Sequence, residues 1–410
     1  MSIVRNVGAI VPRPLLLQVK YFVHFAKRAI HGYNKYSTTC PLQSLKKKKT
    51  HVFFGYYDVS PFNPNSDEIV YLNLKKGANH VDIYISNINN LCHETLIDSS
   101  YAWNWQQGIR LRWMPNDNRE ICFNDFRDNE YIARIINVDS KKERTICKPL
   151  YDISPDGSIG LSLDFERLGV KRPGYGYTCR NYSESNRNLE EEGIDIVDLI
   201  NNTHRRILDY STISHVAGTN CNCFKDNYIN HIAFSPNGDK FLFFWLTVTD
   251  QCHRADLLVY DIRKQTLVLL ENKDRVSHYV WLDNNRILCT AYNDENKCYY
   301  YIYDQVEQSK KIVNPQVLNE DGHPCMFSDN TILTDTYPDH NGFQKLYLAG
   351  FSEGGYNPLI SIYSNCRIEG ERRTDLHPRL NLSKKMVCFD SNQDKYRTLN
   401  LLDIGDYLHD

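Results

Sequence analysis

A short unit recurs seven times along this chain and leaves few folds open to it. Its clearest copy is Phe234-Ser235-Pro236-Asn237-Gly238-Asp239-Lys240, which runs into the apolar stretch Phe241-Leu242-Phe243-Phe244-Trp245. Pro presets one turn angle and Gly supplies a positive φ, so one strand ends, the chain reverses and a second begins. Worn copies follow the same plan. Phe62-Asn63-Pro64-Asn65 leads into Ile69-Val70-Tyr71-Leu72, Trp113-Met114-Pro115-Asn116 into Ile121-Cys122-Phe123, and Ser154-Pro155-Asp156-Gly157 into Ile159-Gly160-Leu161. Later copies end at Asn285, Asn330 and Lys384, each before another apolar run. A third strand and often a fourth come next, as in Val81-Asp82-Ile83-Tyr84-Ile85 and Tyr299-Tyr300-Tyr301-Ile302-Tyr303. Short strands, four to a unit of about 40–60 residues, predict an all-β, seven-bladed β-propeller over residues 51–410.

Four of the units carry a histidine at one shared place. His231, His278, His323 and His377 each stand three residues before a large apolar residue, namely Phe234, Trp281, Met326 and Leu380. Their intervals are 47, 45 and 54 residues. A residue that returns once per blade points at the propeller axis each time. Four imidazoles aimed at one axis suit a metal site or acid/base chemistry. The competing reading is a set of braces, each histidine tying a blade turn by hydrogen bonds. Arg110 holds the same place in blade 2, three residues before Trp113. Arg379 follows His377 by two residues, Arg172, Tyr175 and Tyr177 lie in a long blade 3 insertion, and Tyr337 lies between Asp335 and Asp339 in blade 6.

Charge is uneven along the chain. Residues 1–50 hold ten Lys/Arg and no acidic residue, which leaves the remainder with 38 Lys/Arg against 50 Asp/Glu. An acidic propeller argues against nucleic acid as a partner. Thirteen cysteines without a framework suit a reducing cytosol, and Cys221-Asn222-Cys223 is the one close pair. Residues 13–31 predict a basic amphipathic helix. Leu15, Leu16, Val19, Phe22, Val23, Ala26, Ala29 and Ile30 share one face, and Lys20, His24, Lys27, Arg28 and His31 the other. Lys20 and Lys27-Arg28 interrupt the apolar run, and no signal-type cleavage site follows. This extension, residues 1–50, either rests on an anionic inner-membrane surface or docks against the propeller. The expected location is cytoplasmic, peripheral to the inner membrane in the first case.

Several tokens are distinctive. Phe54-Gly55-Tyr56-Tyr57-Asp58, Arg172-Pro173-Gly174-Tyr175-Gly176-Tyr177, Ile229-Asn230-His231-Ile232, Thr334-Asp335-Thr336-Tyr337-Pro338-Asp339 and Asp375-Leu376-His377-Pro378-Arg379 together resemble TolB-like propeller proteins of bacterial surface-polysaccharide gene clusters. Through the propeller and the axial histidines, the chain is also distantly similar to oligogalacturonate lyases. That resemblance implies a manganese-type divalent ion, an acidic, uronate-containing glycan as substrate, and β-elimination. It makes His278, His323 and His377 the metal ligands and His231 the base. Arg110 and Tyr177 complete the catalytic set, with Arg172, Tyr175, Tyr337 and Arg379 binding substrate. The lyases' Gln and paired His have no obvious counterpart, since Asp321-Gly322-His323-Pro324 offers one His. The alternative is a non-catalytic glycan-binding or scaffold protein of capsule or O-antigen assembly. A third possibility, a nucleotide-sugar transferase, is argued against by the lack of a Gly-rich βα turn and of an Asp-x-Asp at a strand end.

Overall fold

Seven antiparallel sheets make up the computed structural model, which describes residues 13–31, 35–183, 188–189, 192–219, 224–250 and 252–407. The predicted Cys221–Cys223 pair lies outside the described residues. Each sheet is a blade, and the expected seven-bladed propeller is the fold. In blade 4 the strands Asn227–Phe234, Lys240–Val248, His253–Asp261 and Thr266–Glu271 pair in sequence order from the axis outward. The turn that defines the repeat works as its chemistry requires. Gly238 takes φ 76°, its N–H donates to the Ser235 carbonyl at 2.9 Å, and Ser235 Oγ accepts from the Lys240 N–H at 3.1 Å. All such turns lie on one face of the ring, here called the lower face. The loops between blades rise on the upper face.

The boundary drawn at residue 50 moves toward the N-terminus. Leu42–Leu45 is the outer strand of blade 7, paired with Thr398–Asp403, and Tyr36–Thr38 adds a fifth strand to blade 6 against Tyr356–Tyr363. Both segments fall within the expected extension because their pairing partners lie more than 300 positions away. Their pairing closes the ring, joining the first residues of the propeller to the last. Lys47, just after the strand Leu42–Leu45, also engages the propeller, for its Nζ meets Glu94 at 2.7 Å and lies 3.7 Å from the centre of the Tyr84 ring.

Blade 3 departs most from the repeat. Its inner strand is only Asp152–Ile153, and residues 163–192 intervene between its second strand and its third, Gly193–Asp198. The insertion carries a short helix, Phe165–Lys171, capped by the Asp164 carboxylate, which accepts from the N–H groups of Glu166 and Arg167. A second short helix, Tyr210–Ala217, fills the loop from blade 3 to blade 4. The predicted N-terminal helix spans Arg13–His31.

Candidate active site on the propeller axis

The blade register breaks where two of the histidines stand. The pairing of Asn227–Phe234 with Lys240–Val248 slips between Asn230 and Ala233, and His231 sits in the slip at φ 57°. Blade 5 slips likewise between Val276 and Tyr279, around His278. His377 and Arg110 take the same left-handed backbone, at φ 47° and 53°. Such bulges turn a side chain out of the sheet, here toward the axis. In these bulges, and just before the first strands of blades 6 and 7, backbone N–H groups have side-chain rather than ladder partners. The His231 N–H donates to Tyr151 Oη at 3.1 Å, that of His278 to Thr290 Oγ1 at 2.9 Å, and those of His323 and His377 to Asp335 at 2.7 and 3.2 Å.

The four imidazoles are buried and meet around one ring, that of Tyr56. Its centroid lies 4.7 Å from His377, 5.3 Å from His231, 5.9 Å from His323 and 6.5 Å from His278. The His278 and His323 rings are 4.0 Å apart, and those of His323 and His377 4.4 Å. Below them Tyr57 crosses the axis, donating to the Tyr279 carbonyl at 2.8 Å and accepting from the Tyr279 N–H at 2.9 Å. It divides the cluster from a cavity of about 460 Å³ on the lower face, lined by Ala233, Trp281, Cys325 and Arg379 among others.

The hydrogen bonds decide which nitrogen of each ring is free. His323 Nδ1 lies 2.9 and 3.0 Å from the Asp335 oxygens, His377 Nδ1 2.9 Å from the Gly55 carbonyl, and His278 Nδ1 2.9 Å from Asp321 Oδ1. Acceptors at Nδ1 make it the N–H donor and leave the lone pair on Nε2. Nε2 of His323 and of His377 is buried and bonded to no protein atom. One ligand atom each of His323, Asp375 and His377 lies within 4.8 Å of the others. Oriented, desolvated imidazole lone pairs with a carboxylate are a fitting donor set for a first-row divalent cation, and the Nδ1 contacts are the outer bonds such a site needs. His231 is arranged the other way round. Asn230 Oδ1 accepts from Tyr151 and Gln107, so its amide N–H₂ faces His231 Nε2 at 3.2 Å and makes Nδ1 the buried, unpartnered donor.

Electrostatics separates the rings further. Burial and the neighbouring His278 and Arg172 charges hold His231 well below the ordinary imidazole range. Burial and the His323 and Arg379 charges do the same to His377. His278 is lowered by burial and by His323, against the pull of Asp321. His323 alone is raised, because the Asp335 carboxylate outweighs the cost of burial.

Above the rings a three-residue cover closes the upper face. Arg373 donates to Tyr175 Oη at 2.8 Å and pairs with Asp375 at 3.0 Å, while the Tyr175 ring stands edge-on to Tyr56 at 6.0 Å. Arg172, exposed, places its guanidinium 5.2 Å from the same Tyr175 ring. Tyr337 is half-buried at 6.0 Å from His323. A groove of about 720 Å³ lined by Tyr101, Trp103, Trp105 and Gly174 opens beside this cover.

The fold thus gathers seven of the predicted residues: His231, His278, His323 and His377 at the axis, with Tyr175, Tyr337 and Arg172 above them. Three others stand apart from it. Arg110 is locked in a bidentate pair with Asp58 at 2.9 and 3.0 Å and also donates to the Tyr151 carbonyl at 2.9 Å. Arg379 is spent on the Gly55 carbonyl and Asp390. Tyr177 lies stacked 4.7 Å from Phe165, its hydroxyl bonded to Asn124 at 2.9 Å. All three are buried where they stand and held by the scaffold, Arg379 keeping Nε buried without a hydrogen-bond partner. Sequence reasoning missed Tyr56, Asp375 and Arg373. Asp375 carried a signal, for it precedes His377 by two residues and so can share its face.

No protein-family profile matches the chain, and no curated protein does. Solved structures resemble it over nearly its whole length. An oligogalacturonate lyase in complex with manganese superposes with a TM-score of 0.66 at 14% identity, covering 92% of this chain and 96% of that one. The oligogalacturonate lyase of Vibrio parahaemolyticus gives 0.62 at 11% identity over 91% and 98%. The β-propeller domain of the Trilobed protease from Pyrococcus furiosus gives 0.52 at 12% identity over 87% and 96%. At these identities the likeness is one of fold, a seven-bladed propeller.

Proposed function

We propose that this protein binds a divalent cation of manganese type through His323, His377 and Asp375, and cleaves a uronate-containing glycan by β-elimination. The observation that carries the reading is the pair of buried, unpartnered Nε2 atoms beside a carboxylate on the axis. The likeness to an oligogalacturonate lyase that holds manganese supports it.

In this reaction the C5 proton leaves to a base, the C4–O bond breaks, a C4=C5 double bond forms, and the departing oxygen gains a proton. A bound cation would supply the positive charge that offsets the uronate carboxylate and acidifies C5. His278 is the base, since Asp321 fixes its Nδ1–H and its depressed basicity keeps Nε2 unprotonated at neutral pH. His231, neutral and presenting Nδ1–H, donates to the departing oxygen. Arg373, with Arg172 nearer solvent, meets the carboxylates of the sugar chain once it displaces Tyr175. The test is to incubate the manganese-loaded protein with oligouronides and follow the ultraviolet absorbance of the unsaturated product. A rise that chelator abolishes supports the reading. No rise with any uronide, despite stoichiometric metal, sinks it.

The aromatic groove favours a second reading, glycan binding without turnover. Calorimetry would then give saturable oligouronide binding that a Trp103→Ala variant weakens, with no product formed.

A further inference from the structure

The helix Arg13–His31 lies on the rim of the upper face, and it docks by the wrong side for a helix that serves only the propeller. Arg367 stacks 3.6 Å from the centre of the Tyr21 ring, His24 Nε2 lies 3.2 Å from the His340 carbonyl, and Lys27 Nζ donates to Asn341 at 3.2 Å. At about 100° per residue Tyr21, His24 and Lys27 share one arc, centred on His24. Away from this arc, the described large apolar side chains face solvent. Leu15, Val19, Phe22 and Val23 are 51%, 53%, 69% and 43% exposed, and Phe25 beside them is 54% exposed. An amphipathic helix with nothing to gain from docking elsewhere buries its apolar face in the core. Here the polar face is the one in contact.

Charge identifies what the free face suits. The propeller is acidic, while the segment around the helix is basic throughout: residues 1–50 hold ten Lys/Arg and no Asp or Glu. No described helix is long and apolar enough to cross a membrane. An exposed apolar arc on a short basic helix is the pattern of a helix lying in a bilayer interface, its cations near anionic headgroups. The docking loops carry His340, Asn341 and Arg367, and they belong to the same upper face as Arg373, Asp375 and Tyr337.

We propose that this helix seats the protein on an anionic lipid surface with the upper face, and so the entrance to the histidine cluster, turned toward the membrane. The lower turns, such as Ser235–Lys240, then face bulk water. The inference stands on the helix contacts and holds whether or not the axial site turns over a glycan.

The test is co-sedimentation of the full chain with phosphatidylglycerol-containing vesicles and with pure phosphatidylcholine vesicles. The wild type should bind the anionic vesicles, and the Leu15→Gln/Val19→Gln/Phe22→Gln variant should bind at least about tenfold more weakly. Hydrogen exchange on the vesicle-bound protein should slow at residues 336–342 and 364–368 and stay unchanged at 235–240. Failure of the wild type to bind overturns the proposal, as does undiminished binding of the variant. Slowing confined to the lower turns overturns the orientation. A concentration-dependent dimer that the triple substitution dissolves, without vesicle binding, assigns the face to a second copy instead. Oligouronide turnover in solution, measured on the same variant, separates this outcome from the fate of the axial site, because none of the three residues touches it.

Discussion

Asp335 is the residue through which the metal reading can be separated from bracing. Its carboxylate is 1% exposed and holds two histidines at once: Oδ1 accepts the His323 N–H at 2.7 Å and Nδ1–H at 2.9 Å, and Oδ2 accepts the His377 N–H at 3.2 Å. In Asp335→Asn one oxygen becomes an N–H₂ group facing a donor. One charge-assisted hydrogen bond worth about 1.5–3 kcal/mol is lost and a buried donor is stranded for about 1–3 kcal/mol more, so stability should fall by about 3–5 kcal/mol. Urea unfolding of the metal-free protein reads this directly. The amide also removes the carboxylate that fixes the His323 tautomer, and loss of such an outer partner weakens metal binding by about 10–100-fold. Titration calorimetry with manganese reads the second effect. If stability falls as computed while manganese affinity stays within about twofold, Asp335 and its histidines are braces, and the metal assignment is refuted.

The remaining predictions are narrower. His278→Gln should keep manganese affinity near wild type and abolish product formation; loss of manganese would return His278 to the ligand set. His51, packed 5.1 Å from Trp105, accepts the Arg397 N–H on Nδ1 at 3.2 Å, and burial with the Arg397 charge depresses it to about 4. The unfolded chain binds that proton near pH 6.5, so this contribution is whole above pH 6.5 and lost as pH falls to 4, about 2–3 kcal/mol in all. His51→Phe should flatten the stability profile across that window, as urea titrations at stepped pH would show; an unchanged acid limb would place the proton elsewhere.

The fold was legible because it is written seven times. Each copy pairs a polar turn, with Pro or Gly in four of the seven, with an apolar run, and no helical period of comparable weight competes with it after residue 50. What stayed hidden was long-range. Leu42–Leu45 has no turn signal of its own and becomes a strand only by meeting Thr398–Asp403. The histidines could be placed because repetition sets their direction toward the axis. Their roles could not, since tautomer depends on partners such as Asp321 and Gly55 from other blades. Arg110, Arg379 and Tyr177 looked reactive by residue type, and it took the partners Asp58, Asp390 and Asn124 to show them engaged. Tyr56 was in plain view within a distinctive motif, yet nothing local marks which of two adjacent tyrosines meets the imidazoles.

Blade 2 offers an internal control for the bracing reading. Arg110 and His377 take the same left-handed backbone at equivalent places, three residues before Trp113 and Leu380, and a side chain there costs about 1 kcal/mol that Gly would not. A brace repays that strain by spending its polar atoms. Arg110 does so, with its guanidinium on Asp58 and the Tyr151 carbonyl. His377 spends Nδ1 on Gly55 and leaves Nε2 buried and idle, itself a cost of about 1–3 kcal/mol. Two exchanges for Gly should therefore diverge. Arg110→Gly strands the Asp58 carboxylate and should cost about 3–5 kcal/mol, leaving any manganese bound to the folded fraction. His377→Gly relieves both strain and the idle nitrogen against the loss of one hydrogen bond and some packing on Tyr56. It should cost at least about 2 kcal/mol less than Arg110→Gly while abolishing manganese binding. Equal costs, with manganese retained in both, would mean that the idle nitrogen has no ligand and that all these residues serve the ring alone.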